Sequence, residues 1–170
     1  MKALLIRLPA SKSSRICEDV RVVRDAIAWS QQNQDAEVSL DDAWAALHFL
    51  VSADYPIPRQ EAEERGMSWN EDSLENVLMG GDATAFLSSF GPARFVPPSL
   101  VRSMAAKLEK ISVATFSSRI DPETLFEERM LLDSWDSDTA VERLPKYFAM
   151  LQSFYMTAAS KGEGVLIYFQ

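Results

Sequence analysis

Cysteine and histidine are almost missing from this chain: Cys17 and His48 are the only ones among 170 residues. A lone cysteine excludes an intramolecular disulfide and points to a reducing compartment. Metal centres of the histidine and cysteine type need several such ligands, so they are excluded as a class, and only an all-carboxylate site stays open. Long apolar runs are missing too. The opening MKALLIRLP holds an apolar run of only four residues before Arg7 and Pro9. A signal-peptide core needs roughly 7–15 residues, and a bilayer span at least ~18. The expectation is a cytoplasmic protein that does not enter a membrane.

Positive charge is scarce. Seventeen Lys and Arg against 25 Asp and Glu give a net charge of −8. That sign repels phosphate backbones, so nucleic acid is not an expected partner. It suits solubility, or steering toward a basic protein. The glycine patterns that cradle phosphates, GxxxxGK[ST] and GxGxxG, are absent, as is the GxSxG nucleophile elbow. Gly80-Gly81-Asp82 instead reads as a helix C-cap and turn. The acidic Asp133-Ser134-Trp135-Asp136-Ser137-Asp138 lacks the glycine and distal glutamate of a calcium loop, so it reads as a solvated turn. No cofactor, metal or catalytic residue is assigned, and the balance leans away from an enzyme.

What is present is enough for one core. Single domains commonly run to roughly 100–200 residues, so 1–170 is read as one domain. Lys2 to Leu8 and Gly164 to Phe169 are short apolar runs bounded by proline or glycine, with apolar residues on both faces. Both read as inner strands of one sheet covered on both sides. Most of the chain between them reads as helix. Ile16, Val20, Val23 and Ile27 recur at helical spacing after Ser13 and Ser14, either of which can cap. Pro98 starts a helix carrying Val101, Met104, Ala105, Leu108 and Ile111, and Asp121-Pro122-Glu123 starts another. Leu144, Tyr147, Phe148, Leu151, Phe154, Tyr155 and Ala158 make one wide stripe, with a start or a kink expected at Pro145. Residues 54–90 read as a long irregular excursion. The fold class is α+β: a small, mostly antiparallel sheet that includes both terminal strands, packed with several helices.

Ser39 and Asp42 resemble a capping box ahead of Leu40, Trp44, Leu47, His48 and Val51, which share one helical face. His48 therefore sits on the apolar stripe. It reads first as a core histidine bonded to a backbone carbonyl, and alternatively as part of a ligand pocket with Trp44 and Tyr55. Arg94 lies in the apolar Gly91-Pro92-Ala93-Arg94-Phe95-Val96, where its guanidinium needs a carboxylate or several carbonyls. An anion-binding role is its alternative. Tyr55, Trp69 and Trp135 stand in polar surroundings and are candidate exposed anchors for a partner.

These landmarks occur together in a known pattern. Trp44-x-x-Leu47-His48-Phe49-Leu50 is followed by Val77-Leu78-Met79-Gly80-Gly81 and by Gly91-Pro92-Ala93-Arg94-Phe95-Val96-x-Pro98-x-x-Val101. Asp121-Pro122 and Phe154-Tyr155-x-x-Ala158-x-x-Gly162-Glu163-Gly164-Val165-Leu166 close the series. Over roughly 40–170 the chain resembles the bacterial YfbM-like proteins, the DUF1877 family of unknown function. The opening Ala3-Leu4-Leu5-Ile6-Arg7-Leu8 departs from the glycine-rich first strand usual there, which leaves that strand's register open. The resemblance implies a compact α+β domain and transfers no catalytic residue. Two functional readings follow. The first is an acidic module, regulatory or immunity-type, that binds a basic protein. The second is a small-molecule protein or enzyme with a pocket at Trp44, His48 and Arg94.

Overall fold

The computed structural model describes residues 1–52, 64, 66, 73–132 and 135–170. Tyr55 and Trp69 lie outside them. The first strand, β1 (Ala3–Leu8), is buried at every position, as is the last, β5 (Gly164–Phe169). The two pair antiparallel along their whole length, from Ala3 opposite Phe169 to Leu8 opposite Gly164, which fixes the register of the opening strand. Continuous apolar sequence is what a strand covered on both faces requires. A short β2 (Glu37–Ser39) flanks β1. On the other side β5 meets the hairpin of β3 (Asp82–Ser88) and β4 (Gly91–Val96). The order is β2-β1-β5-β4-β3, with every neighbouring pair antiparallel.

Part of the expected 54–90 excursion is therefore sheet. In β3 only Thr84 is fully buried, because the strand lies at an edge. Its Asp82-Ala83-Thr84-Ala85-Phe86-Leu87-Ser88 lacks the apolar run that marks an inner strand.

Eight helices are seen among the described residues: α1 (Ala10–Ser13), α2 (Val20–Gln32), α3 (Trp44–Ser52), α4 (Asn76–Met79), α5 (Pro98–Glu109), α6 (Val113–Ser117), α7 (Pro122–Glu127) and α8 (Ser137–Lys161). Helix α2 covers one sheet face, where Val23 and Ala26 join Leu4, Ile6, Leu8, Ala93, Phe95, Leu166 and Tyr168. On the other face Ala3, Leu5, Val96, Val165, Ile167 and Phe169 join the larger cluster contributed by α3, α4, α5 and α8. Gly164 lets these layers close: a Cβ there would fall 2.4 Å from the Phe95 ring.

Three expected helix starts are corrected. Helix α2 begins after Asp19, whose carboxylate accepts from the Arg21 amide at 2.9 Å; Arg15 has φ 62, so Ile16 falls in a turn and neither Ser13 nor Ser14 caps α2. Before α3 the chain makes a 3₁₀ turn at Asp41–Ala43, and the Ser39 hydroxyl accepts from the Asp41 amide at 3.2 Å instead of closing a capping box with Asp42. Helix α8 begins at Ser137, not at Pro145, because Asp136 caps it by accepting from the Thr139 amide at 2.7 Å. Proline inside a helix costs about 3 kcal/mol or more. Burial of Ala140 and Leu144 before it, and of Tyr147 to Ala158 after it, offsets that cost.

Candidate partner surface at the α7–α8 ridge

Charge is unevenly spread along the chain. Between residues 121 and 142 stand Asp121, Glu123, Glu127, Glu128, Asp133, Asp136, Asp138 and Glu142, opposed by Arg129 alone. This segment thus carries −7 of the chain's −8. All these acids except Asp133, which lies outside the described residues, are exposed, on α7 and the start of α8. Two large apolar side chains stand among them in the open, Leu132 at 51% and Val141 at 54% exposure. Neither the charge excess nor its apolar companions was picked out from the sequence, although a running charge count would have found the first.

A polar network anchors this ridge to the β2–α3 junction. The Tyr147 hydroxyl donates to Asp41 Oδ2 at 2.8 Å and accepts from Arg143 Nη2 at 2.8 Å. The Arg143 guanidinium lies 4.8 Å above the Trp135 ring, and the Trp135 indole Nε1 donates to Asp42 Oδ2 at 3.0 Å. Lys2 Nζ approaches Asp41 Oδ1 at 3.5 Å, and the Ser39 hydroxyl donates to the same oxygen at 3.0 Å. Asp41 adopts φ 45, a left-handed conformation that costs a non-glycine residue on the order of 1–2 kcal/mol. The hydrogen bond from Tyr147, chiefly, holds the Asp41 carboxyl below the usual carboxylate range. Burial, and then the Asp41 carboxylate, push the Tyr147 phenol up. Glu142 is held low by its bond from Lys146 Nζ at 2.6 Å.

Beside this network opens a cavity of about 660 Å³ lined by residues 37–39, Asp41, Glu142, Arg143, Lys146, Tyr147 and Met150. Asp41 and Glu142 bring carboxylates to it, and Met150 is 44% exposed at its edge. Arg143 and Lys146 line it as well, so its charges are already balanced within the chain.

The residues singled out in the sequence fall elsewhere, with one exception. Trp135 is at the site but is 5% exposed, so the expectation of an exposed anchor is corrected: its indole edge is tied to Asp42 and its face is covered by Arg143. Trp44 is buried, 4.8 Å from the Phe169 ring and 5.4 Å from that of Phe90. His48, on the same helix, is 4% exposed, and its carbonyl accepts from the Ser52 hydroxyl at 2.6 Å. Arg94 donates from Nε to the Gly80 carbonyl at 3.2 Å and from Nη2 to the Gly81 carbonyl at 2.7 Å. It thereby pins the turn in which Gly81, at φ 86, brings its Cα so near the Phe95 carbonyl that a Cβ would sit 2.5 Å away. Among the described residues no three His, Cys, Asp or Glu side chains converge to hold a metal ion, and no helix is long and apolar enough to cross a membrane.

No curated protein matches the chain. Its backbone is similar to the crystal structure of YfbM from Escherichia coli, a protein of unknown function, with a TM-score of 0.65 at 13% identity over 98% of each chain. At that identity the likeness speaks for the fold alone. The family model described as "Domain of unknown function (DUF1877)" matches residues 1–168, including the opening strand that seemed to depart from the pattern, and the chain belongs to that family.

Proposed function

We propose that the chain is a binding protein, acting in the cytoplasm, whose working surface is the acidic ridge of residues 121–142 and whose partner is a basic protein. One observation carries the reading: almost the whole net charge is concentrated in that segment, on exposed side chains around Leu132 and Val141. A surface of one sign steers an oppositely charged partner and speeds its association, and exposed apolar side chains within it supply contact area after encounter. The alternative pocket at Trp44, His48 and Arg94 has less support, since Trp44 is packed among core rings and Arg94 is bonded to two carbonyls.

The test is retention of proteins from host lysate on the immobilised chain at about 50 and 500 mM salt, a range over which the screening length falls severalfold. The control is a variant with Glu123, Glu127, Glu128 and Asp138 changed to glutamine or asparagine. A basic protein held at low salt, released at high salt and not held by the variant supports the reading. Retention that ignores salt or the variant, or an empty column at both salts, overturns it.

A further inference from the structure

The sheet face turned away from α8 carries a second cavity, of about 530 Å³, between α2, the β3–β4 turn and the end of β5. That volume falls within the roughly 300–1,000 Å³ of small-molecule sites. Its α2 wall is Arg24, Ile27, Ala28 and Gln31, at the spacings of three, one and three that put side chains on one side of a helix. This is the side left over when Val23, Ala26 and Ser30 turn to the core. Opposite stand Phe86, half-buried, and Leu87, 79% exposed, so an apolar wall is left open among the described residues.

Two polar groups at this cavity have no protein partner among the described residues. Tyr168 lines it and is 3% exposed, yet its hydroxyl forms no hydrogen bond with any of them. Burial first, and the Glu37 carboxylate second, push its phenol up to about 12, so it stays protonated as a donor. Glu37 itself is occupied, accepting from the Ser30 hydroxyl at 2.6 Å. That hydroxyl reaches the cavity's solvent side and is free to donate to water or to a ligand there. The other group is Arg24, exposed at the mouth and in no ion pair with a described residue, unlike Arg21 one turn earlier, which is held by Asp19 at 2.8 Å. An uncommitted guanidinium above an apolar wall, in a chain of net charge −8, is suited to an anion.

We propose that this cavity binds a small amphipathic anion, an apolar body carrying one acidic group: the body lies against Ile27, Ala28, Phe86 and Leu87, Arg24 holds the charge, and Tyr168 donates to an acceptor on the ligand. This site lies across the sheet from the acidic ridge and does not depend on the partner reading.

The probe is 8-anilinonaphthalene-1-sulfonate, an apolar two-ring body with one sulfonate, titrated into the full chain by fluorescence and calorimetry. We expect saturable binding at one site per chain. Arg24→Gln weakens it about 10-fold, the loss of a charge-assisted hydrogen bond, and Tyr168→Phe about 5-fold. Ala28→Trp, at an exposed helix position where the indole fills the cavity, abolishes it. Arg24 and Ala28 are both exposed, so these two variants keep the test intact if the Tyr168 change disturbs folding. Absence of saturable binding, or affinities of Arg24→Gln and Ala28→Trp equal to that of the unaltered chain, overturns the proposal.

Discussion

Asp41 combines a left-handed backbone with a carboxylate bound by Tyr147, Ser39 and Lys2. Because its pKa is lowered in the folded chain, the stability it contributes is present above the unfolded value and is lost as pH falls through the folded one. Tyr147→Phe removes the strongest of these bonds. It should cost about 1 kcal/mol near pH 7, discounted for partial exposure, and the difference should shrink toward about pH 3. Urea unfolding of both proteins across that range measures it, and a pH-independent difference would contradict the assignment. His48 makes a complementary case at the same scale. It is 4% exposed within a helix buried on nearly every side, so His48→Gln should cost about 1–3 kcal/mol. In a chain of this size that lowers the melting temperature by roughly 2–4 °C per kcal/mol. An unchanged melting temperature would return His48 to the list of ligand-facing groups.

At the scale of elements, helix α8 raises the sharpest question, since it runs from Ser137 to Lys161 with Pro145 inside it. Proline there withholds the amide that would bond the Val141 carbonyl, so Pro145→Ala should raise stability by on the order of 1–3 kcal/mol. Thermal unfolding decides it: no gain would mean that packing of the proline ring offsets the missing bond. The same helix shows why some elements were legible in the sequence and others were not. The stripe from Leu144 to Ala158 has a clear period, whereas the true start rests on the single Asp136 cap nine residues before the proline. Strands β1 and β5 were legible because both faces are buried, and β3 was not, because an edge strand needs little apolar sequence. Trp44 and His48 were legible as members of one apolar helical face, and both are buried. The Asp42–Trp135 contact joins residues far apart in sequence through one indole nitrogen, and no local spacing encodes it.

At the scale of the molecule, the central strand β5 and its inner neighbour β1 come from opposite ends of the sequence. Deleting 164–170 takes out β5 and leaves β1, β4 and both core faces without their shared neighbour. A chain so shortened should show no cooperative unfolding transition by circular dichroism, and a sharp one would contradict the central role of β5. The order of strands also bears on how the protein is made. On the ribosome, Ala3–Leu8 can pair with Glu37–Ser39 early, yet its other edge waits for Gly164–Phe169 to be translated. At roughly 5–20 residues per second that interval is on the order of ten seconds, during which an apolar strand edge stays open to misplaced partners. Nascent chains of this protein are therefore expected to be clients of holding chaperones until Gly164–Phe169 has been made.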